Sequence, residues 1–203
     1  MNARHAYSMM LVLTSILATT GTEAEARTWL DARPVVNWNK PGGAIPRGPK
    51  VNKADLRDAL TNCGEDKVKS ESTKEARHVV SAGWLGASVL KRSGDIVFVE
   101  AANAYDGMCR EMDYQDFVFS AGKFIGTISP EPMGSRFDAS GRVDIDSVNA
   151  QRFTATFFRF GKNDGACCPS RESIVTYEIR SDHRSHKGQY LVPVNVVTKA
   201  IKQ

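Results

Sequence analysis

The chain has 203 residues, is 41% hydrophobic and 25% charged, and carries a formal net charge of +4 at neutral pH. These are the values of an ordinary folded domain, and the length fits one domain with or without a tail. No stretch reaches the roughly 18 apolar residues of a membrane span, and the basic residues are scattered rather than gathered into a stripe, which argues against a nucleic-acid partner.

Met9 to Ala18 (MMLVLTSILA) is too short to span a bilayer and has the form of the apolar core of a secretory signal. Arg4 supplies the positive region before it, and Ala24-Glu25-Ala26 a small-x-small cleavage site. Cleavage after Ala26 predicts a leader over residues 1–26 and a mature chain that starts at Arg27. Loss of Arg4, Glu23 and Glu25 takes the net charge from +4 to about +5. No cysteine precedes Cys63, so the start of the mature chain offers none to carry a lipid. The expected product is exported and soluble, in the periplasm or outside the cell, with no transmembrane span once the signal is removed.

Residues 27–53 contain Pro34, Pro41, Pro46 and Pro49 among Gly42, Gly43 and Gly48, which forbids a regular helix or a central strand. Trp29 and Trp38 argue against disorder, and the segment is expected to be an extended arm lying partly on the domain surface. Residues 54–203 are expected to form a single α+β domain. Its first helix lies within residues 52–62, with Asn52 as cap, Leu56, Ala59 and Leu60 on one face, and Gly64 as the stop. A second, over residues 73–84, carries the stripe Ala76, Val79 and Val80.

From Gly86 the hydrophobic period changes to two. Strands are predicted at 87–90 and 95–102, and a hairpin at 114–129 turns at Ala121-Gly122. Further strands are predicted around Val143 to Val148, over Phe153 to Phe160, over Ser173 to Arg180 and over Gln189 to Val192, with a short helix over Val194 to Ile201. Helices first and a meander of strands after them define an α+β fold with an antiparallel β-meander sheet, the two N-terminal helices packed on one face.

All four cysteines, Cys63, Cys109, Cys167 and Cys168, fall in the exported part, which reads as two disulfides in an oxidising compartment. A bond between the adjacent Cys167 and Cys168 requires a strained small ring. Cys63 and Cys109 are therefore each expected to pair with one member of the doublet, in either combination. A reactive doublet is disfavoured by the absence of Cys-x-x-Cys spacing. His183 and His186 lie three apart in a polar turn beside Arg184 and Lys187, a solvated setting rather than a metal site. Ser170 follows Cys-Cys-Pro and not a Gly-x-Ser-x-Gly elbow, and only His78, His183 and His186 remain after cleavage. The sequence thus weighs against an enzyme and indicates no cofactor and no metal. Trp29, Trp38, Trp84, Tyr105 and Tyr114 form the set from which a ligand face would be drawn, with core packing as the competing role.

Several motifs occur together: Ala82-Gly83-Trp84, Asp106-Gly107-Met108-Cys109-Arg110, Phe117-Val118-Phe119 with Gly122-Lys123-Phe124-Ile125-Gly126-Thr127, Ser129-Pro130, and Cys167-Cys168-Pro169-Ser170 ahead of a strand. With the Asn37-Trp38-Asn39 leader and Pro41-Gly42, the chain resembles the LppP/LprE-type family of exported bacterial proteins over most of its mature length. The resemblance implies export, a compact α+β domain and structural disulfides, and implies no catalysis. Some members are lipoproteins; this chain departs from them in lacking the cysteine that takes the lipid. The functional expectation is a non-catalytic binding or envelope-associated module whose partner is an envelope component or another exported protein. The alternative is a small periplasmic enzyme or a thiol- or metal-handling protein using the Cys167-Cys168 doublet or His183 and His186.

Overall fold

The structure, a computed structural model, describes residues 28–68, 70–134, 143–161, 163–165, 168–182 and 188–201. The expected leader over 1–26, His183, His186 and Cys167 lie outside the described residues.

The chain is α+β with antiparallel sheets. Helix α1 (Lys53–Cys63) starts where Asn52 accepts a hydrogen bond from the Ala54 amide at 3.0 Å, and it stops at Gly64, whose φ of +83° suits glycine. After the short α2 (Glu65–Val68) comes α3 (Lys74–Ser81), capped by the Thr73 hydroxyl. Strands β1 (Leu85–Ser93), β2 (Ile96–Ala102), β5 (Gln115–Ser120) and β6 (Lys123–Thr127) form one sheet in the order β1-β2-β5-β6. The two-residue strands β3 (Ala104–Tyr105) and β4 (Glu111–Met112) make a small hairpin within the β2–β5 connection. Strands β7 (Asp144–Asp146), β8 (Arg152–Arg159), β9 (Arg171–Asp182) and β10 (Gly188–Ala200) form a second sheet in sequence order. The meander is thus divided between two sheets.

Two cores result. Alternation along β2 and β5 sends Val97, Val99, Phe117 and Phe119 to one face, where Ala76 and Val79 of α3 and the fully buried Trp84 cover them. Phe98 and Val118 point the other way, into the space between the sheets, and meet Phe153, Phe157, Val175 and Tyr177. The Phe98 ring stands edge-on to Phe153 at 4.8 Å, and Phe153 stacks on Tyr177 at 4.9 Å. β2 is therefore buried on both faces, which explains why its sequence is a continuous apolar run interrupted only by Glu100. Helix α1 has no buried side chain and stands apart from either core.

The helix expected over Val194 to Ile201 is instead the second half of β10, paired with β9 from Asn195 opposite Thr176 to Ala200 opposite Arg171. Val194, Val196, Val197 and Thr198 are β-branched, and tertiary pairing uses that preference. Pro193 sits beside a register shift on this edge strand, where a missing amide is tolerated.

Residues 28–50 are held to the domain at several points. Thr28 and Asp31 form a reciprocal capping box around a single 3-10 turn, Trp29–Asp31, that sinks Leu30 completely into the inter-sheet core. Trp29 stands edge-on to Trp38 at 5.0 Å and to Phe157 at 5.2 Å. β10 runs close to β6, and the segment bridges these two margins. Arg33 donates to the Val196 carbonyl, and Trp38 Nε1 to the Thr127 carbonyl at 3.1 Å. The Asn39 amide group takes the place of a strand residue: its Nδ2 donates to the Thr127 carbonyl at 3.0 Å, and its Oδ1 accepts from the Thr127 amide at 2.9 Å. A Cβ on Gly126 would lie 2.6 Å from the Asn39 side chain, so only glycine permits this approach. Further on, Trp84 Nε1 donates to the Pro46 carbonyl and Asn103 Nδ2 to that of Pro49. The polar groups that edge strands leave open are in this way partly closed by the chain's own N-terminal segment.

Candidate functional site

The cysteines are paired differently from expectation. Cys63, at the last turn of α1, is bonded to Cys109, in the loop between β3 and β4, with 5.4 Å between their Cα atoms. Neither reaches the doublet, because α1 and the β3–β4 loop lie together, whereas Cys168 precedes β9 in the other sheet. Placement in the fold decides the pairing here, rather than the ring strain weighed from sequence. Cys168 is itself oxidised and exposed.

Cys109 adopts a left-handed conformation, φ 59°. The turn is held by Asp106: its Oδ1 accepts from the amides of Met108 at 2.8 Å and Arg110 at 3.1 Å, and its Oδ2 from Arg110 Nε at 2.7 Å. These bonds, the Arg110 side chain foremost, hold the Asp106 carboxyl near 2, well below the usual carboxylate range: about 2 against 3.8. Beside the disulfide, Asp55, Asp58, Asn62, Tyr105 and Asp106 line a shallow cleft of about 300 Å³ between α1 and the hairpin. A second groove of about 380 Å³ runs beside β10, between Arg33, Val35, Arg180, Val192 and Val196.

The turn that leads to the doublet is closed by Asp164, whose Oδ2 accepts from the Gly161 amide at 2.6 Å and the Ser170 amide at 2.8 Å. These bonds and the Ser170 hydroxyl lower the Asp164 pKa. Ser170 thus serves a structural turn. His78 is exposed on α3, its ring 6.4 Å from that of Phe119. Among the described residues, no group of three or more His, Cys, Asp or Glu is arranged to hold a metal ion.

The aromatic set does not gather into one face. Trp84 and Tyr114 are core residues, 1% and 3% exposed. Trp29 stands edge-on to both Trp38 and Phe157, and Tyr105 lines the cleft by the disulfide.

The feature that sequence reading missed is a cross-strand carboxyl pair with one member buried. Asp116 on β5 stands directly opposite Glu100 on β2. Both share the face of Phe98, Val118 and Tyr114, toward the second sheet. Asp116 is 0% exposed, and neither of its carboxylate oxygens has a hydrogen-bond partner. Burial, and then the charge of Glu100, raise its pKa well above the ordinary value. The signal was present in two adjacent apolar strands, each with one acid at the inward position, but the strand pattern by itself singled out neither acid.

The structure is a disulfide-crosslinked domain of two antiparallel sheets faced by one helix. Residues 90–182, from the middle of β1 to the end of β9, match the LppP/LprE lipoprotein family. The match begins after Cys63, Trp84 and the N-terminal segment. No curated protein and no solved structure matches the chain.

Proposed function

We propose that the protein is an exported, envelope-associated domain that acts by binding a partner, an envelope component or another exported protein. The observation that carries this reading is the Cys63–Cys109 bond. Helix α1 contributes no buried side chain, and the covalent link ties its last turn to the β3–β4 loop. A fold that relies on such a link belongs in an oxidising compartment. The match to a lipoprotein family and the signal-like Met9 to Ala18 segment support the same address. The cleft between α1 and the β3–β4 hairpin, rigid through Asp106 and the disulfide, is the surface offered to a partner.

The test is cell fractionation combined with alkylation of thiols before lysis and mass analysis of the purified chain. The expected result is an exported chain that begins at Arg27 with Cys63 and Cys109 protected from alkylation until reduced. A cytosolic chain with both thiols alkylated overturns the reading. The exposure of Cys168 favours one further reading, thiol handling by the doublet. In that case mild reductant releases thiols at Cys167 and Cys168 while Cys63–Cys109 stays closed.

A further inference from the structure

Two adjoining grooves at one end of the second sheet share Arg180. One lies over β8 and β9, where Arg152 stands directly opposite Glu178 and Arg180 lies two residues further along the same face. Glu178 is gripped from both sides: its Oε1 accepts from Arg152 Nη2 at 2.8 Å, and its Oε2 from Arg180 Nη2 at 2.8 Å and Nε at 3.1 Å. One carboxylate thus serves two guanidiniums whose side chains are 57% and 50% exposed. The other groove is the one of about 380 Å³ beside β10, which Arg33 lines together with Arg180. The Arg33 guanidinium donates to the carbonyls of Leu30, Ala32 and Val196 and meets no carboxylate among the described residues. Three arginines against one glutamate leave this end of the sheet positive, and the described residues lining the two grooves include no further acid.

We propose that the groove beside β10 binds a short, extended acidic segment of a partner protein, with one carboxylate on Arg33, a second on Arg180 and an apolar side chain between them. The groove shares no lining residue with the cleft beside the disulfide, and the inference rests neither on the binding role given to that cleft nor on export.

The build of the groove fits this occupant. Three backbone carbonyls fix the Arg33 guanidinium before a ligand arrives, and a planar fork held in place is matched to a carboxylate. Val192 and Val196, each 7% exposed, line the groove with Val35. Apolar surface so far recessed is reached by a side chain that enters the groove, and not by the flat surface of a membrane. Pro193 and the register shift beside it interrupt the open edge of β10, so a full added strand does not fit and side chains carry the recognition. Glu178 does not compete for this role, because Arg180 and Arg152 already hold its carboxyl below the usual carboxylate range.

The experiment is fluorescence anisotropy of a labelled short peptide alternating aspartate and valine, titrated with the purified full chain at low and at physiological salt. The peptide is expected to bind, and more weakly as salt rises. Its counterpart alternating asparagine and valine should not bind. Arg33→Gln and Arg180→Gln should each weaken binding about tenfold, the loss of one charge-assisted contact. Arg57→Gln, which removes the same charge from the exposed surface of α1, should leave binding unchanged. Arg180 is half exposed on the outer face, so its variant keeps the test decisive if Arg33→Gln loosens the N-terminal segment. Failure of the acidic peptide to bind overturns the proposal. So do equal binding of the asparagine peptide and an equal loss in Arg57→Gln, which would mark a general effect of net charge. Arg180-dependent binding to phosphatidylglycerol vesicles in place of the peptide overturns it in favour of a lipid surface.

Discussion

Replacing Asp31 by Asn isolates the bond between the N-terminal segment and the second sheet. Arg159 projects from β8 with its side chain only 3% exposed, and its two terminal nitrogens donate to the two Asp31 oxygens at 2.7 Å each. That is the two-pronged arrangement in which guanidinium and carboxylate match best. Asp31 Oδ2 also accepts from the Thr28 amide at 3.1 Å. Arg159 is the main reason that the Asp31 pKa drops from 3.8 to about 2. At 1.36 kcal/mol per pH unit this shift is worth roughly 2.5 kcal/mol. About a third of the Asp31 side chain meets solvent, and screening reduces the value to about 1–2 kcal/mol. The variant also leaves a buried guanidinium facing a neutral amide, so the expected loss at neutral pH is about 2–3 kcal/mol, somewhat under the cost of breaking a wholly buried pair. Because the folded-state pKa is depressed, the stabilisation is complete above the ordinary value and is lost as pH falls through about 2. Urea unfolding followed by tryptophan fluorescence therefore has a definite outcome. The gap between wild type and Asp31→Asn is full at neutral pH and narrows as pH falls below about 4. A gap below about 0.5 kcal/mol at neutral pH, or one that stays constant into acid, refutes the argument.

Three further outcomes are expected. Cys63→Ser removes a crosslink across 46 residues of separation, which in the chain-entropy account costs about 4 kcal/mol; hydrogen exchange over α1 should rise most, and unchanged exchange there would show that α1 is held by other means. Gly126→Ala places a methyl against the Asn39 side chain and should cost about 1–3 kcal/mol, with a change in Trp38 emission as the segment lifts; an undisturbed emission spectrum counts against the role given to Asn39. Tyr177→Phe leaves the Ile128 carbonyl without its donor in the core and should cost about 1–2 kcal/mol in the urea midpoint, whereas a neutral result would mean that this carbonyl finds another partner.

Local signals in the sequence carried most of the fold. Asn52 marks one helix start by its capping chemistry, Ser72 and Thr73 offer a cap for the second and the structure uses Thr73, and the inward Phe153, Ala155 and Phe157 mark β8 by alternation. What escaped reading was long-range. Nothing near Val194 says that its neighbours pair with β9 through residue 200, and the short apolar run fits a helix as well as a strand. The division of the meander into two sheets depends on which strands meet across the core, and the cysteine pairing on which loops end up side by side. Of the candidate site, Tyr105 and Cys63 were legible as residue types. The carboxyl pair was not, since Glu100 and Asp116 are 16 residues apart and become neighbours only through the β2–β5 register.

The contact between Asp31 and Arg159 spans 128 positions of the chain. Almost the first described residues are thus needed by one of the last strands to be made, and β10 must then arrive to receive Arg33. Such a domain does not finish by stages while it emerges from a ribosome or a translocation channel, since Asp31 and Arg33 have nothing to close on until β8 to β10 are free. The distance between these partners acts as a timer: closure of the whole waits for the end of the chain, and contacts of this range make it slow when it comes. On the export route proposed above, an unfolded chain gains from that delay, because the structure that would obstruct passage is the structure that forms last.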